Sequence, residues 1–226
     1  MPIHTPVEST PSTSSPRFRA PANTHDLIGS IELLGASMAF SRDDEIYSEG
    51  EVADYLYKVE SGAVRTYKIL SDGRRQIGAF YLPGDVFGLE VSDEHQLSAE
   101  AISESTILVV KRSALIALAA RDPGVARQLW MFTAQALDRM QSHMLLLVRS
   151  AQEKVACFLL EMGERLSATE AMELPMSRQD IADYLGLTIE TVSRTLTMLQ
   201  TKSTIALPTS RRIVVRNRAA LRRLNA

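Results

Sequence analysis

The sequence predicts an α+β chain in three parts: a β-rich N-terminal half, one long helix and a compact helical unit at the C-terminus. Three observations predict it. Residues 45–112 break into short β-type runs, DYLYKVESG, AVRTYKIL, QIGAFYL, PGDVFG and STILVVKR, punctuated by Gly50, Gly62, Gly73, Gly84 and Gly88. Regular short strands of this kind build a barrel or a double-sheet roll, although their order cannot be read from the pattern. After Pro123, a favoured first residue of a helix, GVARQLWMFTAQALDRMQSHMLLLVRS has nothing to break a long helix. Finally, SRQDIADYLGLTIETVSRTLTMLQ at residues 177–200 places small and apolar residues where two helices cross through a tight turn.

Each element follows from its residues. Residues 1–24 are rich in Pro, Ser and Thr, with few large apolar groups to offset the entropy of ordering, and read as a flexible tail. The β-rich part takes residues 25–121, and the turn SDGRR between two of its strands exposes Asp72, Arg74 and Arg75 around Gly73. In the long helix and hinge, residues 122–150, Trp130, Thr133, Leu137, Met140, Met144 and Leu147 recur in steps of three and four. Ala134, Leu145 and Val148 put apolar groups on another side, so one side is expected to cover the β-rich part and another to meet a partner. The helix should end near Arg149, with a hinge at Ser150. A C-terminal unit, residues 151–226, then begins with AQEKVACFLLEMGERL, whose Val155, Ala156, Phe158, Leu159 and Met162 face a small core.

In the crossing pair, Ala182 lacks bulk where the second helix lies over the first, Gly186 supplies the positive φ of the turn, and Val192 returns to the shared core. Ser177 with Asp180 makes a helix start, and Thr188 caps the second helix. Glu190, Ser193 and Arg194 share one face near its N-terminal end. That end of a helix-turn-helix enters a major groove. There Arg can pair with guanine O6 and N7, a carboxylate can accept from cytosine N4, and Ser can approach a thymine edge. Beyond it, TIALPTSRRIVVRN alternates around Pro208 and resembles a β-hairpin wing. Ser177, Arg178, Thr188, Thr191, Arg211 and Arg212 are the candidates for the DNA backbone.

These motifs resemble the Crp/Fnr family of bacterial transcription regulators. ETVSR in the second helix is similar to the Fnr and FixK branches, and SGAVRTYKILSDGRRQIGAFYLPGDVFG is similar to the family's glycine-punctuated sensory roll. The resemblance runs from about residue 29 to the C-terminus. It implies an antiparallel jelly roll like a cyclic-nucleotide-binding domain, a long dimerisation helix and a winged helix-turn-helix. It further implies a homodimer on double-stranded DNA, with Ala134, Asp138, Gln141, Leu145 and Val148 as interface candidates, and a polymerase-contacting loop, for which Asp72, Arg74 and Arg75 are the candidates. The FixK-type branch implies activation of genes for microaerobic respiration, denitrification or nitrogen fixation, through a palindrome similar to TTGAT-N4-ATCAA.

The chain departs from two other branches. Nucleotide pockets of the cyclic-AMP type carry an Arg-Ser pair, whereas this chain has Leu97 before Ser98 and adds Glu90 and Glu100 nearby, so no cyclic nucleotide is expected. Iron-sulfur sensors need several cysteines; Cys157 is the one cysteine, so no cluster and no disulfide within the chain are expected. Cys157 reads as a small core residue with a possible redox role. His95 and His143 read as surface or helix polar residues, without a haem motif. The competing reading is an effector-gated regulator whose roll binds a small molecule.

Charge supports the division of labour. Residues 26–173 hold about 14 basic against 23 acidic side chains, and residues 175–226 about 9 against 3. The basic part attracts nucleic acid and the acidic part repels it. The roll has no clustered metal ligands, nucleophile elbow or phosphate loop, so no enzyme activity, cofactor or metal is expected. No run of about 18 uncharged apolar residues and no signal-peptide core occur, so the chain is expected to be cytoplasmic and not membrane-bound.

Overall fold

The computed structural model describes residues 34–168 and 170–224. The tail expected at residues 1–24 lies outside them.

Eight strands form two antiparallel four-stranded sheets. In chain order they are β1 (Gly35–Phe40), β2 (Glu45–Tyr47), β3 (Tyr55–Ser61), β4 (Val64–Ile69), β5 (Arg75–Tyr81), β6 (Val86–Phe87), β7 (Ser98–Ala101) and β8 (Ser105–Lys111). One sheet has the order β1-β8-β3-β6 and the other β2-β7-β4-β5. The consecutive hairpin β4–β5 pairs Val64 with Tyr81 and Ile69 with Arg75, and β3 lies across β8 with Leu56 opposite Val110. Tyr47, Tyr57, Val59, Val64, Phe87, Ala99 and Ile107 form a core within this roll. The five punctuating glycines all have positive φ. At Gly62 the need is double, since a Cβ there would sit 2.4 Å from the Glu104 carbonyl oxygen.

The roll interior corrects one expectation. His95 is 1% exposed, stacked 3.6 Å from Tyr47, and Nδ1 lies 3.1 Å from Glu90 Oε1 without the angle of a hydrogen bond. Its place beside polar Gln96 hid the fact that its loop returns to the connection between β2 and β3, where Gly50 and Glu51 pair with it through the backbone.

Among the described residues six helices follow or interleave: α1 (Arg112–Ala119), α2 (Pro123–Leu147), α3 (Ala151–Arg165), α4 (Arg178–Leu185), α5 (Ile189–Thr201) and α6 (Arg218–Leu224). Asp122 caps α2, accepting from the Gly124 N–H at 2.8 Å with Pro123 at the first helical position. The break between α2 and α3 is held by a capping box: Ser150 Oγ accepts from Glu153 N–H, and Glu153 accepts from Ser150 N–H at 2.8 Å. Hydrogen bonding from Ser150, from its side chain first and its backbone N–H second, holds the Glu153 carboxyl below its ordinary pKa.

On α2 the side facing the body is neither of the two stripes that the spacing suggested. Val125, Leu129, Phe132, Arg139, His143 and Leu146 turn inward, whereas Trp130, Leu137, Met140, Met144, Leu145 and Val148 are all exposed. Both sequence stripes therefore remain unpartnered within one chain. The inward side mixes apolar with polar groups, because Arg139 reaches Asp85 across the junction and His143 reaches a backbone carbonyl.

The C-terminal unit packs α3, α4, α5 and α6 with a three-stranded sheet of order β10-β11-β9, made of β9 (Ala171–Glu173), β10 (Ile205–Ala206) and β11 (Arg212–Val215). Val155, Ala156, Phe158, Leu159 and Met162 of α3 are buried with Ile181, Leu185, Val192, Leu196 and Leu199. This core continues into the roll. Phe80 and Ile77 of β5 belong to the same cluster, and Phe80 lies 5.1 Å from the Tyr184 ring and 6.4 Å from Phe158.

Candidate nucleic-acid interface

The crossing pair forms as its residues require. Ser177 Oγ accepts from Asp180 N–H at 3.1 Å while Asp180 Oδ2 accepts from Ser177 N–H at 2.8 Å, so α4 starts at a complete capping box. Gly186 ends α4 in the left-handed region at φ 61°, and Ala182 is fully buried at the crossing. Thr188 Oγ1 accepts from Thr191 N–H at 3.2 Å and begins α5. Val192, Leu196 and Leu199 hold α5 to the core, which fixes the direction of its opposite face.

That opposite face carries the residues expected to read DNA. Glu190 and Arg194 are exposed, and among the described residues neither holds an ion pair, although they stand four residues apart on one helix. Ser193 is half-buried beside them, its Oγ 3.5 Å from Arg178 Nη1. Glu190 also sits in the first turn, where the helix dipole favours a carboxylate. Two charged groups without an ion pair among the described residues, and a hydroxyl, lie on the N-terminal turns of α5 and offer donors and acceptors that could match a G·C pair and a neighbouring thymine.

Around this face the backbone candidates divide. Arg212 is exposed at the start of β11, whereas Arg211 is half-buried and donates to the Pro175 carbonyl at 3.2 Å. The hydroxyls of Ser177 and Thr188 are engaged as caps, so their contribution to an anion is through the helix starts that they build. Thr191 Oγ1 shares a 3.0 Å hydrogen bond with Thr188 Oγ1.

The hairpin turn also divides. Gly73 closes it with a left-handed φ of 81°, and Asp72 and Arg74 are exposed and paired at 2.7 Å, which pulls the Asp72 carboxyl below its usual range. Arg75 is not part of that exposed surface. Its guanidinium turns toward α4, donating from Nε to Asp183 Oδ2 at 2.8 Å and from Nη2 to Asp180 Oδ1 at 2.8 Å, because both carboxylates lie directly across from the start of β5. Arg65 of β4 joins the same group: Nη1 donates to Asp180 Oδ1 and Nη2 to Glu100, both at 2.7 Å. Gln76 Nε2 donates to the Asp183 carbonyl at 2.7 Å. At the other end of α4, Lys154 donates to the Leu185 carbonyl at 3.0 Å and His143 lies 2.8 Å from the Tyr184 carbonyl, stacked on the Tyr184 ring.

Nothing in the sequence flagged Arg65, Lys154 or His143 for this role, since each is a lone polar residue whose partner lies far along the chain. Cys157, expected as a core residue, is half-buried beside the groove between α2 and α3, with Arg149 Nη1 at 3.3 Å from its Sγ. Burial pushes the thiol pKa up despite the guanidinium, which disfavours the reactive thiolate.

The same architecture recurs in known proteins. A cyclic nucleotide-binding domain model matches residues 37–122 and a Crp-like helix-turn-helix domain model matches residues 153–224. The nitrogen fixation regulation protein FixK of Azorhizobium caulinodans is 51% identical over 202 residues, covering 87% of this chain and 82% of that protein. FixK of Rhizobium meliloti is 45% identical, covering 80% and 82%. Among solved structures, FixK2 from Bradyrhizobium japonicum is 54% identical and superposes with a TM-score of 0.81 over 85% of this chain and 98% of that one.

The chain belongs to the Crp/Fnr family, in its FixK-type branch. It is a helix-turn-helix transcription regulator, and α4 and α5 are the crossing pair of its helix-turn-helix domain. The two sheets are the family's sensory roll, and α2 corresponds to the family's long central helix. Among the described residues no helix is long and apolar enough to cross a membrane.

Proposed function

We propose that this FixK-type regulator works as a homodimeric activator in the cytoplasm, reading a palindrome similar to TTGAT-N4-ATCAA. Arg194 pairs with the guanine, Glu190 accepts from the cytosine opposite, and Ser193 meets a thymine edge. The observation that carries this reading is the exposed and unpaired state of Glu190 and Arg194 on a helix whose other side is fixed by Val192, Leu196 and Leu199. Arg212, Arg178 and the helix starts at Ser177 and Thr188 supply backbone contacts, with Thr191 and Arg211 beside them. The test is selection of bound DNA from random oligonucleotides by the purified protein. A two-fold repeat containing G·C at the same step of each half supports the reading, and an asymmetric or G·C-free motif refutes it.

Dimerisation rests on the exposed apolar side of α2, where Trp130 is 72% and Met140 69% accessible in a single chain. Ala134, Asp138, Gln141, Leu145 and Val148 are all exposed there, as are Leu137, Met140 and Met144. Leu145→Glu should weaken self-association on the order of a hundred-fold, because a carboxylate would be buried without a partner on both sides of the two-fold axis. Sedimentation of the full chain checks this, and an unchanged dimer would move the interface elsewhere.

The roll supports regulation without cyclic nucleotide. Leu97 stands where the family's phosphate-binding Arg would be, and the interior is occupied by the Tyr47–His95 and Tyr57–Phe87 stacks. The relatives' names support control of nitrogen fixation genes or related responses to oxygen limitation. Asp72 and Arg74 remain the proposed contact with RNA polymerase.

A further inference from the structure

We infer that Arg65, Arg75 and Asp183 are positioning residues for half-site spacing: they fix the reading head on the sensory roll and so set the distance between the two recognition helices of the dimer. The inference rests on the dimeric, palindrome-reading function proposed above and goes beyond it. It assigns a DNA-selectivity role to residues that touch no DNA.

The joint is built around one carboxylate. Asp180 Oδ1 accepts from Arg65 Nη1 at 2.7 Å and from Arg75 Nη2 at 2.8 Å, and Oδ2 accepts from the Ser177 N–H and hydroxyl at 2.8 and 2.7 Å. Every acceptor position of the carboxylate is thus filled, half from the roll and half from the cap of α4. The group is well shielded, with side-chain exposures of 5% for Asp180, 9% for Arg65, 12% for Asp183 and 24% for Arg75. A charge buried that deeply is strongly disfavoured without its partner, so α4 cannot swing off the roll without stranding charges on both surfaces. Arg65 continues the chain of contacts into the roll through Glu100, its directly opposite neighbour on β7.

Covalent linkage alone would not hold this geometry. The reading head connects to α2 only through residues 148–150, a break between two helices that allows rotation. The C-terminal end of α4 is held by Lys154 and His143, but Lys154 belongs to the moving head itself. Other contacts also join head and roll: Gln76 donates to the Asp183 carbonyl, Arg165 of α3 donates to Asp85 and to the Phe80 carbonyl, and Phe80 packs on Tyr184. Arg65 and Arg75 form the ion pairs that fix the leading end of α4 among them. Recognition helix α5 moves with α4, because Val192, Leu196 and Leu199 share the core of Ile181, Ala182 and Leu185.

Magnitude makes the consequence specific. Helix α5 spans 13 residues, so its length is about 20 Å at 1.5 Å per residue. A tilt of about 10° then moves its end by roughly 3.4 Å, one base-pair step. Small loosening at the joint is enough to make a site one pair too short or too long almost as acceptable as the correct one.

Binding by the full-length protein to palindromes with three, four and five central pairs, measured by fluorescence anisotropy, tests this. The wild type should prefer four pairs by at least about ten-fold over either neighbour. Arg75→Ala and Asp183→Asn should each reduce that preference to about three-fold or less while leaving binding to a single half-site unchanged. The double variant should lose no more than either single one, as partners in one contact do. Arg74→Ala, the exposed neighbour, should keep the wild-type preference. If Arg75→Ala proves unstable, Asp183→Asn, which preserves side-chain shape, carries the test. A wild-type preference retained in Asp183→Asn or Arg75→Ala, or additive losses in the double variant, would overturn the spacing role while leaving palindrome reading intact. Absence of any spacing preference in the wild type would overturn the dimeric reading and this inference with it.

Discussion

The two helices of the reading head share one core yet use their polar faces in opposite ways. On α4, Asp180 and Asp183 are paired within the chain to Arg65 and Arg75 and largely shielded from water. On α5, Glu190 and Arg194 are exposed and hold no ion pair among the described residues, although they stand four residues apart. In the reading proposed above, the difference separates two jobs for charge: the paired set fixes where the head sits, and the set without ion pairs meets DNA. Net charge alone would not have told them apart.

The largest expected effect lies on the paired side. Arg65→Ala should lower folding stability by about 3 kcal/mol, the low end for breaking a buried ion pair, because Arg75 and Ser177 keep Asp180 partly satisfied. Denaturant unfolding checks this, and a loss within about 0.5 kcal/mol, as for an ordinary surface change, would erase the contrast between α4 and α5.

A smaller effect belongs to the wing. Arg212→Ala should weaken binding to cognate and random DNA by similar factors and reduce the slope of log affinity against log salt by about 1, as loss of one phosphate contact does. A defect confined to the cognate site would instead make the wing a sequence reader. Arg211→Ala should do the same more weakly, since its guanidinium is already shared with the Pro175 carbonyl.

The smallest effect on DNA should come from the hairpin tip. Alanine at Asp72 and Arg74 should leave DNA affinity unchanged and lower transcription from a purified promoter system at saturating protein. Equal transcription would remove the tip as an activating surface. Arg75 does not belong in that variant, because its side chain faces α4.

Most of the fold was legible where local chemistry decides it. Gly186 adopts the positive φ expected of it, the glycines that punctuate the strands share that conformation, and Ser177, Thr188 and Pro123 begin helices as read. The break expected near Ser150 is there, closed by a capping box with Glu153 that the structure brings out. Short strands with weak alternation were not legible: β1 GASMAF and β7 SAEA draw their pairing from β8 and β4, not from their own residues. The candidate site divides on the same line. Glu190, Ser193 and Arg194 follow from helical spacing, whereas the Arg65–Asp180 contact joins residues 115 positions apart and no local pattern announces it. For α2, apolar spacing misled, because an exposed stripe awaiting a partner and a buried one look alike in sequence.

The central claim is that the unpaired face of α5 reads a G·C pair through Arg194. It is tested most directly by measuring affinities of wild type and Arg194→Ala for TTGAT-N4-ATCAA and for the same site with both G·C pairs changed to A·T. The wild type should lose about 1 to 3 kcal/mol per changed pair, and Arg194→Ala should bind the two sites nearly alike while its unfolding stays within about 0.5 kcal/mol of wild type. Full discrimination retained by Arg194→Ala would contradict the claim.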